Sequence, residues 1–456
     1  MSVFRFLSPT RSVGSGSSSP SRRRDEIRVR LHVPSYGTVF MPYPAISPGE
    51  PRTDHEFRGD LEVEVPRGWG RVKCRAIRVG LKTISILDMG PNRGIEEDTI
   101  FERKAEIRGG TVDGIMLEEG LHYFDWTLIL PSTLAPHDWH PGARVKHILY
   151  GEVEGIPDVS FASNFLRRTS FASTSSTPSR SRSNSPPLFS PGASLSILRQ
   201  DVALPQPPTY NYSEYGTDDV EWLRGTAYGE RTIMLLFNPD PAGGVSSLDM
   251  RVNGGAEGIG PFDIRFLSDV WTVCASLHAK ITLASPSPDA TIYHIRIGLA
   301  QKARITSPRD DPATTKPIVI ERFFPILAHG DTPPPGRSTG ERMAPIWKHG
   351  EGGDELIFNG QGRLPDDTLG RPSTLEGNET PIQVSHRLVT EVWFSVYGED
   401  QFGKPLKQPG PGELRVLRIE KPVIVPTCFL IPSVLNLPLC KFFVHLMSSA
   451  SLLCVY

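Results

Sequence analysis

Cysteine is scarce in this chain. The five that occur (Cys74, Cys274, Cys428, Cys440 and Cys454) form no Cys-x-x-Cys pair and have no metal-ligand spacing. An odd, sparse set argues against a disulfide framework and for reduced thiols. Lysine is scarce as well: arginine far outnumbers it, and none precedes Lys73 or falls between Lys146 and Lys280. Missing too are a Gly-x-Ser-x-Gly elbow, a phosphate-binding Walker loop and a His-Glu-x-x-His pair, so the common hydrolase, nucleotide and metalloprotease chemistries have no motif behind them. A net charge of −2 offers nothing to a nucleic acid. Met1 to Pro20 lacks the continuous apolar core of a secretory signal. It is Arg- and Ser-rich like a mitochondrial transit peptide, but Pro9 and the Gly/Ser run break an amphipathic helix, so residues 1–25 read as a disordered tail. No long stretch keeps the 3.6-residue period of a helix.

What remains is strand pattern. Ile27, Val29, Leu31 and Val33 alternate with Arg28, Arg30 and His32, the two-residue period of a half-buried strand. Leu61, Val63 and Val65 alternate with Glu62 and Glu64. Val72, Cys74 and Ala76 then give way to Ile77, Val79 and Leu81, a phase slip that predicts a β-bulge. Gly90 to Asp98 reads as a polar loop. In Gly120–Pro131, Phe124, Trp126, Leu128 and Leu130 share a face, and Val145–Val153 supplies a strand with Tyr150 at its middle. A second set begins at Arg231–Phe237 and continues through Leu248–Val252, Val270–Leu283, Ile292–Ala300, Pro317–Phe324, Ile382–Tyr397 and Leu414–Val425. Many short strands with frequent turn residues predict β-sandwiches, and 456 residues are too many for one core. Gly254 to Gly260 is Gly-rich but precedes no helix, so it reads as a turn. His137-Asp138-Trp139-His140, with His147 beyond, lacks a companion carboxylate or cysteine cluster and is not read as a metal site. No metal or cofactor is expected.

Between the two sets the pattern collapses. Val159 to Gln200 has no acidic residue, is dense in serine, and cannot bury enough apolar surface to fold. Pro207-Pro208-Thr209-Tyr210 closes this region. Two prolines pre-set a polyproline helix and the tyrosine adds a rigid anchor, which is the Pro-Pro-x-Tyr pattern that WW domains bind. Val33-Pro34-Ser35-Tyr36, at a strand end, is a weaker variant. Arg167-Arg168-Thr169-Ser170 fits a basophilic kinase site at Ser170. Arg182-Ser183-Asn184-Ser185-Pro186-Pro187 fits the pattern that 14-3-3 proteins bind once Ser185 is phosphorylated, because the phosphate's charge pairs with arginines. Arg22-Arg23-Arg24 suits an anionic membrane surface, at about 1 kcal/mol per charge, though a solvated tail explains it as well. Phe429–Tyr456 is apolar with Lys441 its one formal charge, and Pro432, Asn436 and Pro438 interrupt it as a membrane span.

Several of these stretches share a family pattern. Gly120-Leu121-His122-Tyr123-Phe124-Asp125-Trp126, running to Leu130-Pro131 and on to Tyr150, resembles the arrestin N-domain. Ile281–Pro286, Ile292–Leu299, Arg363-Leu364-Pro365-Asp366-Asp367, Pro372-Ser373-Thr374, Ser385-His386 and Lys421-Pro422-Val423-Ile424-Val425 up to Cys428 resemble an α-arrestin C-domain, the low-dye-binding type of trafficking adaptor in particular.

The resemblance implies an all-β chain of two tandem arrestin-like β-sandwiches with a long disordered insertion. The N-domain spans 26–155, completed by a strand at 228–240. The Ser/Pro/Arg-rich insertion spans 156–227, the C-domain 241–428 and the apolar tail 429–456. It implies no enzyme. It implies a cytoplasmic adaptor, recruited peripherally to plasma membrane or endosomes, in which Pro207, Pro208 and Tyr210 bind a HECT-type ubiquitin ligase. That adaptor would bring the ligase to a membrane transporter or receptor for ubiquitination and endocytosis. The alternative is a structural component of a vesicle or endosomal sorting coat, which has no use for the Pro-Pro-x-Tyr motif. With no lysine beside the motif, ubiquitin placed on the chain itself is expected on Lys73, Lys82, Lys280 or Lys302.

Overall fold

A computed structural model describes residues 26–41, 53–110, 113–157, 220–238, 244–332, 343–349 and 354–428. The regular structure in these residues is almost entirely strand and builds two β-sandwiches in tandem. The first has a three-stranded sheet in the order β1 (Arg28–His32), β3 (His55–Val65), β8 (Gly120–Leu130). It packs on a five-stranded sheet in which β2 (Thr38–Met41), β11 (Thr226–Phe237), β9 (Ala143–Glu154), β5 (Ala76–Asp88) and β6 (Ile95–Arg108) follow one another. A small sheet of β10 (Glu221–Trp222), β4 (Val72–Cys74) and β7 (Ile115–Leu117) caps one end.

The second sandwich pairs β12 (Leu248–Ala256), β13 (Gly260–Ser268), β14 (Ser276–Leu283) and β18 (Leu356–Arg363) in one sheet. The other holds β16 (Ile318–His329), β15 (Ala290–Ile305), β19 (Ile382–Val396) and β20 (Arg415–Val423), with β17 (Trp347–Lys348) added to β15. No helix among the described residues is long and apolar enough to cross a membrane.

Alternation decides which side of each strand is buried. On β1, Leu31 is buried while Arg28, Arg30 and His32 point outward and meet Glu62 and Glu64 of β3. On β8, Trp126, Leu128 and Leu130 enter the core, and Trp126 meets Phe57 edge to face with ring centroids 5.1 Å apart. Such a pair adds about 0.5–1.5 kcal/mol to its burial. Each sandwich has its own apolar core, around Leu61, Leu81 and Leu149 in the first and Phe266, Ile281 and Ile297 in the second. A third cluster joins them: Leu87, Ala143 and Val145 of the first sandwich pack with Ala303, Ile305, Ile382 and Val384 of the second.

Two expectations are corrected. The phase slip after Cys74 is not a bulge. β4 ends there, Arg75 turns the chain, and β5 starts in a different sheet, so the two alternating runs reach one core from different sheets. The polar loop expected to reach Asp98 ends earlier, because β6 begins at Ile95. The Gly254–Gly260 stretch is the hairpin between β12 and β13, with Gly258 and Gly260 both at positive φ.

Candidate functional site

The strongest sequence signal, Pro207-Pro208-Thr209-Tyr210, lies outside the described residues, as do Ser170, Ser185 and Arg22–Arg24. The residues that flank the insertion are described. The chain leaves the first sandwich at the end of β9 and returns to the same sandwich through β10 and β11. Gly155 N–H donates to the Gly225 carbonyl at 2.8 Å, Ile156 N–H to Leu223 at 2.7 Å, and Gly225 N–H back to Ile156 at 2.8 Å. The approach is so close that a Cβ at Gly155 would run into the Leu223 carbonyl. Trp222 on the returning limb lies over Gly114, where a Cβ would meet its ring at 2.7 Å. Leaving and returning limbs thus form one closed root.

Above that root, β9 and β11 present an aromatic pair. Tyr150 and Tyr228 stack with ring centroids 6.3 Å apart, and the Tyr150 ring lies flat on β5 because Gly80 has no side chain to lift it. The Tyr150 hydroxyl donates to Glu102 at 2.7 Å; burial first, then this carboxylate, pushes the phenol well above its ordinary pKa. Lys82 sits 4.8 Å from the centre of the same ring and 3.7 Å from Glu102.

The four expected ubiquitin acceptors are not equivalent. Lys82 is held as just described. Lys302, near the C-terminal end of β15, pairs with Glu321 at 2.9 Å. Lys73 is half-buried in the short β4. Lys280 is exposed on β14, opposite Arg265 and Asn359, and has no carboxylate partner among the described residues. The weaker motif Val33-Pro34-Ser35-Tyr36 is structured. Pro34 is extended, but Ser35 and Tyr36 adopt φ of 53° and 55°, which breaks the polyproline helix that a WW groove requires.

The junction between the sandwiches holds residues that sequence reasoning assigned no role. Arg371, in the loop between β18 and β19, is buried. Its guanidinium donates to Asp138 at 3.0 Å and to the Ala143 carbonyl at 3.1 Å, and its N–H to Gln301 at 2.8 Å. Burial lowers the Arg371 pKa, and Asp138 opposes that shift. Asp138 also accepts from the His140 N–H at 2.9 Å. Of the histidines weighed as a metal site, His140 belongs to this network, whereas the His147 ring meets the Thr83 hydroxyl at 3.0 Å; no cluster suited to a metal ion occurs among the described residues.

A second polar latch lies farther along the seam. Arg93 bonds Asp310 at 2.8 Å and Glu96 at 2.8 Å, the Ser307 hydroxyl donates to Glu96 at 2.6 Å, and Arg309 donates to Asp98 at 2.8 Å. Ser307 and Arg93 together hold the Glu96 carboxyl below its usual range. Arg371 had one signal in the sequence, its place beside Pro372-Ser373-Thr374; its partner, far upstream, had none.

A groove of about 410 Å³ opens on the outer face of the second sandwich. Arg296, Lys302, Arg322, Arg387 and Arg418 line it against Glu321, Glu391 and Glu420, so cations are in excess. Arg296 stacks on Phe323 and Trp393, its guanidinium 4.8 and 5.1 Å from the ring centres. In comparisons with known proteins, no family model and no curated sequence matches this chain.

Proposed function

We propose that the chain is a non-enzymatic adaptor of the α-arrestin kind. It recruits a HECT-type ubiquitin ligase through Pro207, Pro208 and Tyr210 and brings it to plasma-membrane transporters or receptors, promoting their ubiquitination and endocytosis. The observation that carries the reading is the Pro-Pro-x-Tyr motif in an insertion whose two limbs close on one another at Gly155 and Gly225. A motif carried this way can reach a ligase without either sandwich unfolding or separating. Two tandem β-sandwiches support the reading further, because they offer broad faces for cargo and no cleft built for catalysis is needed. The cationic groove along β15 and β19 suits an acidic cytosolic segment of that cargo. Phosphorylated Ser185 adds a 14-3-3 contact that would compete for space with the ligase.

The test is a titration. A peptide spanning Leu204 to Tyr212 is expected to bind isolated WW domains with micromolar affinity. Tyr210→Ala removes the aromatic anchor, a loss of about 2 kcal/mol or more, roughly thirtyfold in affinity. Equal binding by the two peptides would overturn the proposal.

A further inference from the structure

One small cavity where the sandwiches meet holds two side chains, Asn378 and His137, with polar atoms that lack a hydrogen-bond partner among the described residues. It measures about 40 Å³ for water-sized spheres and takes walls from both sandwiches, His137 and Phe237 from the first and Thr374, Asn378 and Thr427 from the second. Asn378 is 8% exposed, and neither its Nδ2 nor its Oδ1 has a hydrogen-bond partner among the described residues. His137 Nδ1, contributed to the lining by the first sandwich, has none either.

An amide can donate two hydrogen bonds and accept two more, and leaving them unmade in the interior forfeits the hydration they had in the unfolded chain. The backbone explains why Asn378 stays at the cavity. Its own N–H bonds the Leu375 carbonyl at 3.2 Å, and the next residue, Glu379, donates across the seam to Thr133 at 2.7 Å. This turn is fixed at both ends, so the side chain has little freedom to leave.

Dry cavities in proteins are apolar, whereas polar cavities with room for a water centre are filled. About 10–15 Å³ of such space holds one water, so this cavity takes about three or four. A cation is disfavoured by the donor set. Asp138 is the sole carboxylate on the lining, and both its oxygens are engaged, one by His140 and the other by Arg371.

We propose that the cavity is a built hydration site in which ordered waters bridge Asn378 of the second sandwich to His137 of the first. The waters supply the donors and acceptors that the protein does not. They turn two unsatisfied surfaces into a shared contact, so this part of the seam is held by exchangeable molecules rather than by fitted side chains.

A double-mutant cycle on the full chain tests this. Among the described residues Asn378 and His137 make no hydrogen bond to each other, so on this proposal shared waters couple them. Asn378→Leu and His137→Phe are each expected to lower the unfolding temperature, and the double variant to lower it by clearly less than the two shifts combined. Shifts that simply add would overturn the proposal. A crystal structure of the unmodified chain provides the second readout. Ordered waters within hydrogen-bond distance of both the Asn378 amide and His137 Nδ1 are expected; an empty cavity, or a direct Asn378–His137 bond, would overturn it.

Discussion

Asp138→Ala is the most informative single change at the domain junction. The Arg371 side chain is 8% exposed and that of Asp138 14%, so the carboxylate offsets a charge that water barely reaches. Without it, the guanidinium keeps only backbone carbonyls, at 3.1 Å from Ala143 and 3.4 Å from Pro141. Removing one partner of a buried pair costs about 3–5 kcal/mol, and the remaining carbonyls place this case near the lower end. At about 2–4 °C per kcal/mol for a domain of this size, the transition should fall by roughly 6–12 °C. Arg387→Ala is the matched control. Its bond to Glu420 is of similar length, 2.9 Å, but the arginine is 59% exposed, and such pairs are worth less than about 1 kcal/mol. Replacing both partners, Asp138→Leu with Arg371→Met, should recover much of the loss, because no buried charge is then left alone. Differential scanning calorimetry on the four proteins reads the series. An Asp138→Ala shift no larger than that of Arg387→Ala would refute the assignment of the junction to this pair.

Stability should also fall with acid through two buried histidines. Burial lowers His386 from 6.5 to about 4 and His147 from 6.5 to about 3, the latter helped by its neighbour His137. Above pH 6.5 both are neutral, folded or unfolded. Below it the unfolded chain takes up protons that the folded chain refuses, so each histidine should remove about 1.4 kcal/mol per pH unit down to its folded value. Denaturant midpoints between pH 7 and 4.5 measure the slope, and His386→Gln should flatten it by one histidine's share. Gly155→Ala should strain the root of the insertion against the Leu223 carbonyl and cost about 1–3 kcal/mol, read by urea unfolding. In a reconstituted ubiquitination reaction, mass spectrometry should find Lys280 modified ahead of Lys82, because Lys82 is held by Glu102 and the Tyr150 ring.

The strands that were legible are those with one wet and one dry face. β1, β3 and β8 alternate, since each has one side in the core, with Glu62 of β3 the exception, buried under Arg30 and His32. β6 was not legible because it reverses the code. Ile95 and Ile107 are 74% and 50% exposed while Glu96 is buried under Ser307 and Arg93, so its burial follows the domain seam and not the pleat. The short β2 hid in a Gly/Pro-rich stretch because its partner, β11, lies far along the chain. The same distance hid Arg371 and Asp138, since nothing local to either residue announces a partner so remote. The Pro-Pro-x-Tyr motif is the opposite case, a signal carried wholly by four adjacent residues.

The closed root at Gly155 and Gly225 bears on how such a chain can change over time. Once the two limbs are joined, the length of a flexible connection between them would enter the folding balance only through the logarithm of loop size, about 0.6 kcal/mol for each doubling. The sandwich is therefore nearly indifferent to insertions and deletions beyond its root. Reach is not indifferent, because the local concentration of a tethered motif falls roughly as the −3/2 power of tether length. On the proposed reading, in which this segment carries the ligase motif, its length sets the reach of that motif while the stability of the fold stays almost untouched.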